Sequence, residues 1–201
     1  MLFRTGWSMI DLLALITVMV WPVIPLFWIP VHFATDRFRK LGLLTYGMPL
    51  ITWLPLAYFI YRNRTFLLQF NVDLPLICTV IGIPLFICGV LLHIWTARLL
   101  GIWGIIGVPE ISSQVNEDLV MTGPFSIVRH PTYLAHTILF LGVFLITGSV
   151  PVGIITALDF IVVNAVIIPL EEKELSERFA EDYAAYKREV PSRFFPWIHK
   201  R

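Results

Sequence analysis

Arg129, His130 and Tyr133 stand together at the start of an apolar stretch, within the run GPFSIVRHPTY. Two adjacent carboxylates, Glu171 and Glu172, end the next apolar stretch. A guanidinium, an imidazole and a carboxylate pair can bind a charged ligand or move a proton. In a chain this apolar, we expect these two segments to form the functional site.

The composition is that of an integral membrane protein. Of the 201 residues, 57% are hydrophobic and 14% are charged, whereas soluble proteins carry about 25% charged residues. Mean hydropathy is +0.78. The net charge of +1 argues against a nucleic-acid-binding surface, which needs clustered Lys and Arg. A helix needs roughly 20 residues to cross a ~30 Å hydrocarbon core, so the chain holds a single domain of helices.

We predict an all-α integral membrane bundle of about five transmembrane helices. The predicted spans are residues 7–31, 42–61, 74–97, 131–149 and 152–170. Prolines inside the first three spans predict kinked helices. The uncharged residues 148–153 predict a tight turn, so the last two spans should form a helical hairpin. The stretch from Gly101, rich in Gly, Ile and Trp, predicts a re-entrant or interfacial segment.

Beyond the last span, apolar residues recur every three or four positions up to about residue 188. They are Leu175, Phe179, Tyr183 and Tyr186. This spacing predicts a C-terminal amphipathic helix. In the predicted topology, 12 of the 15 Lys and Arg residues lie on the same side of the membrane as the C-terminus. Cytoplasmic loops are enriched in these residues. We therefore predict that the N-terminus lies outside and that the C-terminus and the polar cluster are cytoplasmic.

Structural roles are open for several of these polar residues. Glu171 and Glu172 can stabilise a helix N-terminus, worth a few tenths to about 1 kcal/mol, or one of them can bind a cationic ligand. His93 and His136 lie in apolar spans, where we expect each to hydrogen-bond a neighbouring helix. We expect no metal site, because no His, Cys or acidic residues show metal-ligand spacing.

The C-terminal half resembles the integral membrane methyltransferases that include isoprenylcysteine carboxyl methyltransferase and the phospholipid N-methyltransferases. The resemblance rests on the combination of Leu119, Val120, Met121, Thr122, Gly123, Pro124, Phe125, Arg129, His130, Pro131, Tyr133, Glu171, Glu172, Leu175, Phe179, Tyr183, Tyr186, Val190 and Pro191. It implies that residues 1–100 bind a lipophilic acceptor entering from the bilayer. It also implies that residues 101–201 bind S-adenosylmethionine and carry catalysis.

The same resemblance implies individual roles. The implied cofactor-binding residues are Leu119, Val120, Gly123, His130, Pro131, Tyr133, Glu171 and Glu172. Arg129 and Glu172 would be catalytic. Arg129 would orient a carboxylate acceptor, and Glu172 would take the proton from an amine. Which of Glu171 and Glu172 acts in catalysis stays open.

The resemblance favours carboxyl O-methylation of an isoprenylcysteine, with N-methylation of phosphatidylethanolamine or S-methylation of a hydrophobic thiol as alternatives. A different class is also open, because residues 190–196 resemble the ending of membrane sterol reductases, which bind NADPH. Those reductases carry Asn directly before the tyrosine and Gly-Asp shortly after it. This chain has Thr132 and Ala135-His136 there, which favours the methyltransferase.

Two positions depart from the family's pattern. Ala180 replaces a glycine that follows the phenylalanine, and we expect this change only to stiffen the helix. Glu117 stands where the isoprenylcysteine enzymes tend to carry His. Because of the second departure, either the cofactor contact in this loop or the substrate is expected to differ from that of the isoprenylcysteine enzymes.

Overall fold

The computed structural model describes residues 8–111 and 118–196, and its regular structure is helical, as predicted. The helices are α1 (Met9–Val20), α2 (Val23–Phe33), α3 (Thr35–Leu41), α4 (Gly47–Arg62), α5 (Arg64–Leu67), α6 (Leu76–Ile105), α7 (Val108–Ile111), α8 (Pro131–Thr147), α9 (Val150–Val162) and α10 (Ile168–Glu189). Short 3₁₀ helices cover Gly42–Tyr46 and Gly123–Ser126. Glu117 lies outside the described residues.

Four helical stretches of the described chain are long and apolar enough to cross a membrane. They are Met9–Phe33, Thr35–Arg62, Leu76–Ile106 and Val150–Glu189. Helix α8 is apolar but shorter, at 17 residues. These stretches correspond to the five predicted spans, and they make the chain a multi-pass membrane protein.

Proline and glycine break the spans. The first span divides at Trp21-Pro22, between α1 and α2, because a proline ring clashes with the preceding helical turn. The third span continues to Ile105, well past its predicted end, and bends at Gly101 (φ 69°, ψ 175°). The predicted interfacial segment from Gly101 is therefore, at its start, the last turn of a kinked α6.

Helices α6 and α8 pack backbone to backbone. A Cβ at Gly89 of α6 would lie 2.7 Å from the backbone nitrogen of Leu139 of α8. Small residues allow such an approach between helices in lipid. Helix α8 then ends at Gly148, whose left-handed conformation (φ 64°) lets its N–H donate to the Phe144 carbonyl at 2.8 Å. Helix α9 begins at Val150, so the hairpin turn is two residues and not the predicted six.

Asp159 ties three helices together inside the bundle. It is 1% exposed, and its Oδ1 accepts from Trp21 Nε1 at 3.1 Å while its Oδ2 accepts from Thr137 Oγ1 at 2.8 Å. A carboxylate at membrane depth is expensive unless such partners are present. The three groups fix the positions of α8 and α9 against the junction of α1 and α2.

The tail helix is continuous with the last span. A π-helical segment, Val163–Ile167, joins α9 to α10, and α10 runs to Glu189 without a break at Pro169. The break comes instead at Ala180, with φ 43° and ψ −109°. The expectation that Ala180 stiffens the helix is wrong, because this residue interrupts the helix in a conformation that disfavours a Cβ.

Candidate functional site

A cavity of about 260 Å³ lies between α6, α8, α10 and the loop at residues 118–130. Its walls combine apolar side chains with several titratable ones. The lining residues are Trp28, His93, Leu100, Gly104, Ile105, Glu110, Asp118, Leu119, Val120, Phe125, Arg129, His130, Thr132, Tyr133, His136, Glu171, Leu175, Arg178, Phe179, Tyr183 and Tyr186. Both polar segments of the sequence thus reach one cavity.

Helix α8 contributes a row of rings, one for each turn. Pro131 occupies the first helical position, where a missing N–H is tolerated. His130, Tyr133 and His136 follow at intervals of three residues, which places them on one face. The ring centroids of His130 and Tyr133 are 6.0 Å apart, and those of Tyr133 and His136 are 6.3 Å apart.

Helix α10 presents a matching face. Glu171, Leu175, Arg178 and Phe179 line the cavity, and their spacing of four, three and one places them on one side of a helix. Glu171 Oε2 lies 3.5 Å from His130 Nδ1. Burial opposes protonation of His130, but the negative charges of Glu171 and Glu172 outweigh it and raise the His130 pKa. The buried His130 and the partly exposed Glu171 thus favour an ion pair at the cavity wall.

Glu172 faces away from the cavity. Its Oε1 accepts from Arg129 Nε at 3.0 Å and from Arg129 Nη2 at 2.9 Å, and it lies 3.3 Å from His130 Nε2. Its Oε2 accepts from Arg193 Nη2 at 2.6 Å. Glu172 is 8% exposed. Both its carboxylate oxygens are therefore engaged by the protein's own cations.

The chain after α10 returns to close the site. This C-terminal segment (residues 190–194) accepts two backbone hydrogen bonds, from the Arg129 N–H to Ser192 O at 2.9 Å and from the His130 N–H to Arg193 O at 3.1 Å. Arg129 Nη1 also donates to the carbonyls of Val190 and Pro191, at 2.6 and 2.8 Å. The guanidinium of Arg129 thus joins α8, α10 and the C-terminal segment.

A second charged group of residues borders the cavity beside α2 and α7. Glu174, 5% exposed, lies 2.8 Å from His32 Nδ1 through Oε2 and accepts from Arg39 Nη2 at 3.2 Å through Oε1. Arg178 Nη1 lies 3.9 Å from both Glu174 Oε1 and Glu110 Oε1. Burial, with the charge of Glu174, raises the pKa of Glu110 to about 7, although His32 and Arg178 act against this rise.

Several buried polar atoms of the cavity wall have no hydrogen-bond partner within the described residues. They are His93 Nδ1, Glu110 Oε2, Thr132 Oγ1, His136 Nδ1, Glu171 Oε2, Arg178 Nη1 and Tyr183 Oη. Of these atoms, Glu171 Oε2 and Arg178 Nη1 still lie within ion-pair distance of an opposite charge. Buried polar groups are nearly always paired. Their concentration on one cavity indicates a site for a polar ligand.

The predicted site residues divide into two sets. Those that line the cavity are Leu119, Val120, Arg129, His130, Tyr133 and Glu171. Gly123, Pro131 and Glu172 adjoin it without lining it. Gly123 packs where a Cβ would lie 2.9 Å from Leu99 Cδ1, Pro131 opens α8, and Glu172 holds Arg129.

Sequence reasoning missed Glu110 and Arg178. A signal for Arg178 was present, since it belongs to the same helical face as Glu171 and Leu175. Glu110 is a lone carboxylate in an apolar stretch, and nothing in its neighbours predicts its approach to α10.

Three comparisons with known proteins complete the description. The family model for phospholipid methyltransferases matches residues 77–182. The chain is 34% identical over 113 residues to the cobalt-zinc-cadmium resistance protein CzcN of Cupriavidus metallidurans, covering 51% of each chain. It is 36% identical over 86 residues to the nickel-cobalt-cadmium resistance protein NccN of Alcaligenes xylosoxydans xylosoxydans, covering 43% of this chain and 39% of the relative. The chain thus matches about half the length of these curated relatives or less. No solved structure matches.

Proposed function

The chain belongs to the phospholipid methyltransferase family, and we propose on that premise that it is an integral membrane enzyme that methylates a lipophilic acceptor with S-adenosylmethionine. The observation that carries the proposal is the cavity itself. His130 and Tyr133 at the start of α8 and Glu171 of α10, from two segments distant in sequence, line it together. Beside them lie buried acidic and basic atoms that make no hydrogen bond within the described residues.

The cavity fits the cofactor's chemical groups. S-adenosylmethionine supplies a methyl group on a sulfonium cation, and its methionine end carries an ammonium and a carboxylate. Glu110 Oε2 and Arg178 Nη1 are buried and make no hydrogen bond within the described chain. The 3.9 Å ion pair between these two residues leaves both atoms able to bind that ammonium and that carboxylate. Leu119 and Val120 offer apolar contact for the adenosine, and Glu171 offers a negative charge for the sulfonium.

His130 and Glu171 provide a fixed electrostatic environment. In methyl transfer, alignment of two reactants contributes most of the rate enhancement, since little covalent help is needed. The ion pair holds the Glu171 carboxylate in place at the cavity wall. A carboxylate placed in advance needs no reorganisation when a cation binds.

We assign Arg129 and Glu172 to positioning. The sequence-based proposal gave Arg129 the role of orienting a carboxylate acceptor. Its Nε and Nη2 are directed to Glu172 and its Nη1 to two carbonyls, so its charge is already balanced. Carboxyl O-methylation of an isoprenylcysteine is the prediction from the sequence resemblance, and a carboxylate probe therefore forms one arm of the acceptor experiment below. The amine and thiol alternatives need a proton acceptor instead.

The remaining proposals concern topology and the acceptor's route. We propose that residues 1–100 bind the lipophilic acceptor and that residues 101–201 bind the cofactor. We also propose that the C-terminus and the cavity lie on the cytoplasmic side, which the Lys and Arg distribution supports. This orientation would place the site where the cofactor is made.

Calorimetric titration of the detergent-solubilised protein with S-adenosylhomocysteine, run beside NADPH, tests the proposal. We expect saturable binding of S-adenosylhomocysteine alone. Glu171→Gln should weaken it about tenfold or more, since a charge-assisted contact contributes about 1.5–3 kcal/mol. Glu181→Gln, at an exposed position of the same helix, is the matched control and should bind as the wild type does. Binding of NADPH alone would reassign the site to a reductase.

A further inference from the structure

His93 of α6 and His136 of α8 form a pair on the wall of the cavity. Their ring centroids are 4.7 Å apart with the planes inclined by 43°, and both residues line the cavity. Neither has a part in the cofactor contacts proposed above. The two imidazoles form a second group of titratable side chains in the site.

The pair is not explained by helix packing. From the sequence we expected each histidine to hydrogen-bond a neighbouring helix. The Nδ1 atoms of both rings are instead buried without a hydrogen-bond partner among the described residues. The ring of His136 also lies near the rings of Tyr133 and Phe140, with centroids 6.3 and 6.2 Å away. Leaving a buried polar atom unpaired costs free energy, and a polar ligand group would remove that cost.

The position of the pair separates it from the Glu171 contact. His136 lies six residues beyond His130 along α8, which corresponds to about 9 Å along the helix axis. His130 lies beside Glu171, at the end of α8 that faces the loop. The histidine pair is therefore displaced towards the interior of the bundle, where an acceptor from the bilayer would lie.

The charges of the cavity indicate which acceptor suits the pair. Each cationic group that lines the cavity among the described residues already lies beside a carboxylate of the protein, Arg129 beside Glu172 and His130 beside Glu171. Arg178 lies between Glu110 and Glu174. The described wall therefore offers a carboxylate acceptor no unpaired cation, whereas a neutral thiol or amine needs none. A neutral imidazole has one nitrogen able to accept a proton.

We propose that His93 and His136 bind the nucleophilic group of the acceptor and take its proton, so that the acceptor is a thiol or an amine and not a carboxylate. This inference rests on the proposed methyltransferase function. The lone pair of the acceptor's sulfur or nitrogen forms the bond to the methyl carbon, and the carbon–sulfonium bond breaks with its electron pair going to sulfur. The acceptor's proton passes to an imidazole nitrogen, from which solvent later removes it.

The first test needs no turnover. Protein labelled with [¹⁵N]histidine and saturated with S-adenosylhomocysteine is titrated with benzyl mercaptan, benzylamine or phenylacetate, three probes of similar size. Signals of His93 and His136 are assigned by their loss in the His93→Phe and His136→Phe variants. We expect saturable shifts of both with the thiol or the amine, and none with phenylacetate. His32, which contacts Glu174, is the internal control and should not shift.

The second test separates proton removal from a structural role. Benzyl mercaptan is largely protonated at pH 7, whereas 4-nitrothiophenol is already a thiolate. His136→Phe should lower methylation of benzyl mercaptan about 100-fold and change that of 4-nitrothiophenol by less than about 3-fold, as expected for loss of a general base. Leu141→Ala, at an outward-facing position of α8, should leave both rates unchanged.

The outcomes are distinct. Equal losses on both thiols, preferential methylation of phenylacetate, or absence of ¹⁵N shifts with every probe would overturn the inference. Methylation of benzyl mercaptan without benzylamine would identify a thiol acceptor, and the reverse an amine. Failure of the wild type to bind S-adenosylhomocysteine would instead refute the proposed function.

Discussion

Ala180→Gly should stabilise the protein, although glycine inside a helix normally destabilises it. Ala180 has φ 43° and ψ −109°, a conformation that glycine adopts without a steric penalty. A non-glycine residue held in such a region costs about 1–3 kcal/mol. Glycine's greater freedom in the unfolded chain removes about 0.4–1 kcal/mol of this gain. We therefore expect a net stabilisation of about 1 kcal/mol.

The thermal midpoint in detergent measures this effect, with Ala184→Gly as the control. Ala184 lies on the same helix with ordinary helical geometry, so glycine there should lower stability by about 1 kcal/mol. The two substitutions are chemically identical and should shift the midpoint in opposite directions. Equal destabilisation by both would show that residue 180 is helical in the folded protein and would refute the argument.

Three further predictions concern charge and topology. Arg129→Met should lower the free energy of unfolding by about 3 kcal/mol, because it leaves the buried Glu172 carboxylate without its main partner; chemical denaturation measures it, and Arg37→Met, at an exposed position, is the control. The pKa of Glu110 is raised to about 7 from 4.5, so the folded state binds its proton more tightly, and stability present below pH 4.5 is lost as pH rises to 7. Glu110→Gln should therefore increase the free energy of unfolding more at pH 8 than at pH 5, by at most about 3 kcal/mol. Thermal midpoints at the two pH values measure this difference, and equal shifts would contradict the prediction. A C-terminal tag should be cleaved by protease only in inside-out vesicles.

Hydrophobic content and proline positions sufficed to predict the helical class and the spans, because crossing a bilayer imposes length and apolarity on every helix. The positions at which individual helices begin and end were harder to predict from the sequence. Helix α6 extends past Gly101 because a glycine can bend a helix without ending it. The turn between α8 and α9 is shorter than predicted because α9 begins at Val150, with Pro151 in its first turn, where a proline is tolerated.

The individual roles of Glu171 and Glu172 were beyond sequence reasoning for a geometric reason. Successive residues on an α-helix are about 100° apart, so the two adjacent side chains leave α10 in different directions, and they reach opposite nitrogens of the His130 ring. Which of them faces the cavity depends on the rotation of α10, and the π-helical segment Val163–Ile167 changes that rotation relative to α9. The sequence pattern of α10 alone does not contain this information.

This geometry couples the C-terminal segment to the cavity. Glu171 faces the cavity and pairs with His130, while Glu172 holds Arg129 and Arg193. Because His130 also donates its backbone N–H to Arg193 O, the C-terminal segment fixes the backbone of a residue that lines the cavity. Loss of the Glu172 contacts would therefore loosen His130 and, through it, Glu171. The two adjacent carboxylates thus differ in role. Glu172 stabilises the position of the His130–Glu171 pair, and Glu171 is the carboxylate of that pair that would bind a cation.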